Sequence, residues 1–135
     1  MYTIKEVSKK MDVSEHTLRF WAKCDFFPFV ARDKNNIRKF SEQDLEWVRI
    51  VKCLRGIGTD SKSIKRYVDL CLIGDSTISD RYEIIKSTKK KALMQLIEAK
   101  KQMELLELKE NYYKELIKNN TNDKFNPINN MQLAN

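Results

Sequence analysis

His16, Thr17, Arg19 and Phe20 share a stretch in which Leu18, Trp21 and Ala22 recur at helical spacing. A helix that buries the apolar set turns the imidazole, hydroxyl and guanidinium outward, and those donors suit phosphate oxygens and base edges. A second basic group, Arg32, Lys34, Arg38 and Lys39, flanks Asn35-Asn36. On charge alone that group reads equally as an ordinary solvated loop or as a nucleic-acid contact; its position just after the donor-bearing helix favours the contact. Arg19 has an alternative of its own, an ion pair with Glu15 one turn earlier. Phe20 and Trp21 are adjacent and cannot both face one core, so one is expected inside and the other near DNA.

The remaining reactive side chains are three thiols, Cys24, Cys53 and Cys71. Their number is odd and none has paired metal-ligand spacing; no cysteine or histidine follows Tyr113, and a soft metal needs thiolates, so no metal and no cofactor are expected. Cys71, one turn after Tyr67 on an apolar stripe, reads as a buried and inert thiol. Cys24 closes the donor-bearing helix and is ambiguous. Cys53 adjoins Lys52 and lies one turn from Arg49, where basic charge would favour thiolate; residue types leave core filler and reactive thiol both open. His16 is the single histidine, and it lies in the donor-bearing helix. With no acid, base and nucleophile set in view, an enzyme is not expected.

The elements that must position these residues follow from capping and periodicity. Thr3-Ile4-Lys5-Glu6 is a capping-box pattern that starts a helix at Ile4, with Ile4, Val7 and Met11 as its apolar stripe. Ser14 caps a second helix over about Glu15 to Cys24, joined to the first by a tight turn. Pro28 bars helix, Asn35-Asn36 suits a turn with positive φ, and the flanks 30–32 and 37–40 read as a small hairpin with a basic tip. Ser41 and Asp44 restart helix with Leu45, Val48, Val51 and Leu54 inward until Gly56 and Gly58 end it. A further helix carries Ile64, Tyr67, Val68 and Cys71 and closes at Gly74. From 79 to 118 no glycine or proline appears, and that length exceeds what a small globule buries on itself. Positions seven apart are Ile85, Ala92, Ala99, Leu106 and Tyr113; the offset set is Lys89, Leu96, Met103, Glu110 and Ile117. That is a heptad seam, so a dimerising coiled coil is expected, against the alternative of a lone amphipathic helix lying on its own domain. Lys89, Lys90 and Lys91 read as a solvated face. Residues 119 to 135 hold seven asparagines and little to bury, and are expected to be disordered.

Length and charge agree with this plan. A chain of 135 residues with 41% hydrophobic content supports one modest core, and 26 basic against 19 acidic side chains give net +7, which suits a polyanionic partner. The excess lies in front: residues 1–72 hold 15 basic and 10 acidic side chains, whereas 73–135 hold 11 and 9. Three glycines and two prolines are too few for an all-β sandwich. No signal-peptide pattern opens the chain, the cysteines suit a reducing compartment, and no apolar stretch reaches the roughly 18 to 20 residues of a membrane span. The expectation is a soluble, cytoplasmic, mainly α protein: a winged helix-turn-helix DNA-binding domain over 1–74, a dimerisation helix over 79–118 forming a coiled coil, and a tail over 119–135.

Helix, turn, helix, basic hairpin and further helices is the order of a winged helix-turn-helix, whose second helix enters the major groove. Thr3-Ile4-Lys5-Glu6-Val7-Ser8, Val13-Ser14-Glu15-His16-Thr17-Leu18-Arg19-Phe20-Trp21 and Ile37-Arg38-Lys39-Phe40-Ser41-Glu42-Gln43-Asp44-Leu45 resemble the MerR family of transcriptional regulators. The resemblance spans roughly 1 to 118. It implies a homodimer on double-stranded promoter DNA, joined by an antiparallel coiled coil of the long helix, with two winged motifs in successive major grooves, distorting an overlong spacer so that RNA polymerase can start; contact with polymerase is indirect. It implies backbone contacts by Arg19, Phe20, Arg38, Arg55 and Thr59 and base-facing positions for His16 and Thr17, with Ser14, Arg32 and Lys39 completing the DNA-contacting set. The implied dimer interface comprises Ile85, Ala92, Leu96, Ala99, Met103, Leu106 and Tyr113. The family often has tyrosine where Phe20 and Phe40 stand, which removes a phenolic donor to phosphate at each, and glycine where Asp25 stands; aspartate tolerates the left-handed conformation. Val51-Lys52-Cys53-Leu54-Arg55, with Gly74-Asp75 and Arg81, is similar to the thiol-stress and aldehyde-responsive branch, which implies that Cys53 senses electrophiles. An architectural DNA-binding protein of excisionase type, with no effector, is the alternative; such small proteins generally lack the long helix. A coiled-coil adaptor without nucleic acid would leave the basic hairpin unexplained.

Overall fold

A computed structural model describes residues 1–128. The chain forms α1 (Ile4–Met11), α2 (Glu15–Lys23), β1 (Ala31–Arg32), β2 (Arg38–Lys39), α3 (Glu42–Ile57), α4 (Ser61–Ile73), a 3-10 turn (Asp75–Thr77) and α5 (Ile78–Asn119). It is mainly helical, with a two-stranded wing and a long C-terminal helix. Two compact units, Met1–Ala92 and Leu93–Asn135, divide it within α5.

Side-chain caps start the first four helices. Thr3 accepts from the Glu6 amide at 3.2 Å while the Glu6 carboxylate accepts from the Thr3 amide at 3.1 Å. Ser41 and Asp44 repeat the exchange at 3.1 and 2.8 Å at the head of α3. Ser14 accepts from Thr17 N–H at 3.0 Å, and Asp60 from Ser63 N–H at 2.7 Å. The Glu6 and Asp60 carboxylates are held below their usual pKa range, each first by the backbone amide that it accepts from. α1 ends at Asp12 in the left-handed region, φ 53°, and Lys52 Nζ donates to the Met11 carbonyl at 2.9 Å, which ties α3 to that helix end.

The core of the first unit gathers Val7, Val13, Leu18, Trp21, Phe26, Phe27, Phe40, Leu45, Val48, Val51, Leu54 and Ile64. Each such large side chain contributes about 1.5–3 kcal/mol on burial. Phe27 meets Phe40 edge-on at 5.8 Å between centroids, and Trp47 lies between Phe29 and Tyr67 at 5.0 and 6.2 Å. Asp25 takes the left-handed conformation expected of it, φ 62°, and its carboxylate meets Lys65 Nζ at 3.2 Å. Gly58, φ 99°, caps α3 alone; Gly56, expected to share in ending the helix, lies inside it.

The wing pairs Ala31 with Lys39 and Arg32 with Arg38 in antiparallel register. Its tip turns on Asn36, φ 61°, and the Asp33 carboxylate accepts from the amides of Asn35 and Ile37 at 2.8 and 3.0 Å. Its base is fastened by a backbone bridge: Tyr2 N–H donates to the Phe40 carbonyl at 2.7 Å and Phe40 N–H to the Tyr2 carbonyl at 2.8 Å. The residues just before α1 thus extend the hairpin by one rung.

In the second unit, the tail expected to be disordered from Asn119 instead folds back as far as it is described. Asn120 adopts φ 50°, Thr121 N–H donates to the Leu116 carbonyl at 3.1 Å, Tyr112 Oη donates to Asp123 at 2.6 Å, and Phe125 packs edge-on against Tyr112 at 5.5 Å. One aromatic and one carboxylate in an asparagine-rich stretch suffice to hold that turn. Residues 129–135 of the expected tail lie outside the described residues. No described helix is long and apolar enough to cross a membrane.

Candidate nucleic-acid interface

The first turn of α1, the exposed side of α2 and the wing surround one cleft of about 360 Å³, lined by Thr3, Ile4, Lys5, Glu15, Arg19, Arg32, Asn36, Ile37 and Arg38. Glu15 is its one carboxylate, and it lies 3.3 Å from Arg19 Nη2. Both partners are well exposed, and a surface pair of this kind contributes at most about 1 kcal/mol, so Arg19 remains available to a phosphate. The ion pair weighed as the alternative for Arg19 is thus present in the structure.

On α2, His16 is exposed and Thr17 is half-buried, its hydroxyl accepting from Ser14 Oγ at 2.8 Å. Ser14 is committed to that cap, leaving Thr17 to turn its hydroxyl proton outward. Trp21 is buried and Phe20 is 50% exposed, which divides the adjacent aromatics as expected. Phe40, by contrast, is fully buried. The expectation that a tyrosine in its place would offer a phenolic donor to phosphate meets an enclosed ring, while at Phe20 the ring edge is open.

In the wing, Arg32 Nη1 donates to the Asn36 carbonyl at 3.0 Å, bracing the turn. Arg38 and Lys39 are half-buried. Burial, and then the like charge of Arg32, push the Arg38 guanidinium below its usual pKa, although a guanidinium stays cationic. Two arginines repelling each other, with the Asp33 carboxylate between them in sequence held by the turn amides of Asn35 and Ile37, form a surface suited to an anion.

Arg55 and Thr59 lie at the α3–α4 junction and are joined, Arg55 Nη1 donating to the Thr59 carbonyl at 3.0 Å. They do not line the wing cleft. Thr59 borders a second cleft of about 480 Å³ with Asp60, Arg66, Asp80, Glu83 and Lys91 among its walls. Lys91, read from the sequence as part of a solvated face, places its Nζ 3.6 Å from where a Cβ would stand on Gly58.

Cys53 is exposed on α3. The basic neighbours expected to favour its thiolate are engaged elsewhere: Arg49 with Glu46 and Lys52 with the Met11 carbonyl. Cys71 is half-buried rather than fully so, 3.9 Å from Arg81 Nη1. Arg81 also donates to Thr77 Oγ1 at 3.1 Å and to the Gly74 carbonyl at 3.2 Å, and Thr77 is buried, so a polar knot joins the end of α4 to the start of α5. Sequence reasoning missed this knot, since threonine and arginine four apart carry no distinctive pattern. Of the proposed seam, Ala92 is half-buried, while Ile85, Leu96, Ala99, Met103, Leu106 and Tyr113 are exposed. No cluster of metal-binding side chains occurs among the described residues.

Residues 2–71 match the family model described as MerR HTH family regulatory protein. An uncharacterized HTH-type transcriptional regulator of Haemophilus influenzae is 36% identical over 83% of this chain and 83% of its own length. The HTH-type transcriptional regulator AdhR of Bacillus subtilis is 28% identical over 67% of this chain and 64% of that protein. Among solved structures, HiNmlR, a MerR family regulator lacking the sensor domain and bound to promoter DNA, superposes with a TM-score of 0.79 at 35% identity, covering 85% of this chain and 91% of that one. A MerR family transcriptional regulator from Bacillus thuringiensis superposes with the same TM-score at 28% identity, covering 83% and 98%.

Proposed function

Because the chain belongs to the MerR family of helix-turn-helix regulators, whose matched relatives are transcriptional regulators and not enzymes, we propose that it acts on promoter DNA as a cytoplasmic homodimer. In this reading α2 enters the major groove with His16 and Thr17 toward base edges. Ser14, Arg19, Phe20, Arg32, Arg38, Lys39, Arg55 and Thr59 lie along the backbone. The observation that carries it is the cleft between α2 and the wing, where four basic side chains meet a single carboxylate already paired with Arg19. The likeness to HiNmlR, itself bound to promoter DNA, supports the same partner.

The dimer forms through an antiparallel coiled coil of α5, with Ile85, Ala92, Leu96, Ala99, Met103, Leu106 and Tyr113 in the seam. Support comes from the exposure of nearly all of them on a helix of 42 residues, apolar surface that a lone chain leaves in water. Two winged units so joined sit in successive grooves and distort the spacer, which aids RNA polymerase through the DNA.

The similarity to AdhR and HiNmlR supports the thiol-stress and aldehyde-responsive branch, with Cys53 as the sensing residue. Its exposure gives an electrophile direct access. Genome-wide mapping of binding sites with and without electrophile stress tests the whole reading. A shared operator at promoters with stress-dependent transcription supports it; sites without sequence preference would favour an architectural role.

A further inference from the structure

We propose that Lys5, Arg32 and Arg38 form a single seat for one backbone phosphate of the bound duplex, making the first turn of α1 part of the interface. The proposal rests on the DNA-binding reading and deepens it. The sequence places Lys5 on the outer side of a short helix and gives it no role. The Tyr2–Phe40 bridge carries that helix start to the wing, and Lys5 then lines the same cleft as both wing arginines.

The charges in this cleft are unbalanced. Among the described residues the Lys5 side chain has neither hydrogen bond nor ion pair. The nearby carboxylates are committed: Glu15 pairs with Arg19, Glu6 accepts from Thr3 N–H and Thr3 Oγ1, both at 3.1 Å, in the capping box, and Asp33 accepts from the Asn35 and Ile37 amides in the wing turn. Arg32 is fixed at the turn by the Asn36 carbonyl, and Arg38 is half-buried beside it. Cations that outnumber the cleft's one carboxylate repel one another in the free protein, and an anion inserted among them removes that repulsion as well as adding its own attraction. Ile37, 53% exposed on the same wall, gives the cleft an apolar edge suited to a deoxyribose next to the phosphate. A duplex supplies both parts, which free phosphate does not.

The test is fluorescence anisotropy of the full-length protein with a random-sequence duplex, since phosphate contacts are independent of sequence, between about 50 and 200 mM KCl. Lys5→Ala and Arg38→Ala should each weaken binding about fivefold, with unchanged melting temperature because both side chains leave the apolar core intact. Both residues serve one phosphate, so the double variant should lose well under the roughly 25-fold product. It should also shed about 0.9 from the slope of log K against log salt, the value of one phosphate. Multiplying losses with a slope change near 1.8 would mean two separate phosphates and overturn the seat. So would a silent Lys5→Ala, or an equal loss in Lys9→Ala, which would make the effect one of general surface charge. Inorganic phosphate, compared with KCl at matched ionic strength, separates the two sources of the anion. Displacement no greater than KCl produces is expected; preferential displacement would assign the seat to free phosphate instead. Absence of salt-dependent duplex binding by the parent protein would overturn the DNA-binding reading itself, whereas parent binding with Lys5→Ala silent removes only the seat.

Discussion

Phe20 and Phe40 stand where the resemblance expects tyrosine, yet the same added hydroxyl should act oppositely at the two positions. Phe20 is 50% exposed on α2, so Phe20→Tyr costs no burial and adds a donor. A hydrogen bond to a charged phosphate oxygen is worth about 1.5–3 kcal/mol before solvent exposure, and discounting to about 1 kcal/mol gives roughly fivefold tighter duplex binding. Phe40 is fully buried, edge-on to Phe27, and its backbone is locked to Tyr2. A hydroxyl there loses water without gaining a partner, a penalty of about 1–3 kcal/mol. For a unit the size of Met1–Ala92, each kcal/mol lowers the melting temperature by about 4–8 °C. Calorimetry and anisotropy on both variants provide the check. A Phe40→Tyr protein that melts as the parent does and binds DNA more tightly would show that the phenol reaches the surface, refuting the argument from burial. An inert Phe20→Tyr would remove Phe20 from the backbone contacts.

Replacing Arg38 by alanine should lower affinity for all duplex sequences alike. A competition assay showing relaxed preference at one base position with intact nonspecific binding would reassign it to base reading. Leu96→Glu and Met103→Glu should each convert a dimer to monomer by burying an unpaired charge in the seam, and an unchanged sedimentation coefficient in both would locate the interface elsewhere. Cys53→Ser should keep operator binding while abolishing the transcriptional response to aldehydes; mass spectrometry finding adducts only at Cys24 or Cys71 would transfer the sensing role. Asp60, with its carboxyl held down by the Ser63 amide, adds stability that is present above its unfolded pKa near 4 and lost as pH falls through the lower folded value. Asp60→Asn, which keeps a capping oxygen without that titration, should therefore flatten part of the acid arm of the melting temperature against pH.

What the sequence made legible was local. Thr3 with Glu6, Ser41 with Asp44, Asn36 and Gly58 each declare a helix start, a turn or a helix end through interactions within four residues, and these lie where expected. The family strings placed α2 and the wing for the same reason. What stayed hidden was set by pairing across distance. The Tyr2–Phe40 bridge joins residues 38 positions apart. Without it Lys5 has no visible reason to share a cleft with Arg38. Lys52 looked like a neighbour for the Cys53 thiol because the two are adjacent in sequence; in the fold its long side chain reaches the Met11 carbonyl instead. The fold-back at Asp123 and Phe125 escaped notice because composition weighs seven asparagines above one aromatic.

The position of Cys53 restricts how a modified thiol would act. Val51 and Leu54 on either side of it are buried, and Lys52 grips the end of α1, so this turn of α3 is anchored on its inner face and the thiol faces water. An adduct there creates no cavity and meets little steric resistance. Its effect has to come from what the added group touches or from the loss of nearby cationic contacts. Two such contacts are at hand: the Lys52 bond to the α1 carbonyl, and the Arg55 bond to Thr59, which braces the α3–α4 junction around Gly58. Disturbing the first changes how α1 is held on α3, and with α1 the start of the chain that pairs with the wing. Disturbing the second changes the junction whose Arg55 and Thr59 are assigned to the DNA backbone. The two routes are separable, because Lys52→Met would remove the first contact and leave the second. If aldehyde response survives in Lys52→Met and is lost in an Arg55→Lys protein that still binds its operator, the signal runs through the junction; the reverse pattern would route it through α1 and the wing.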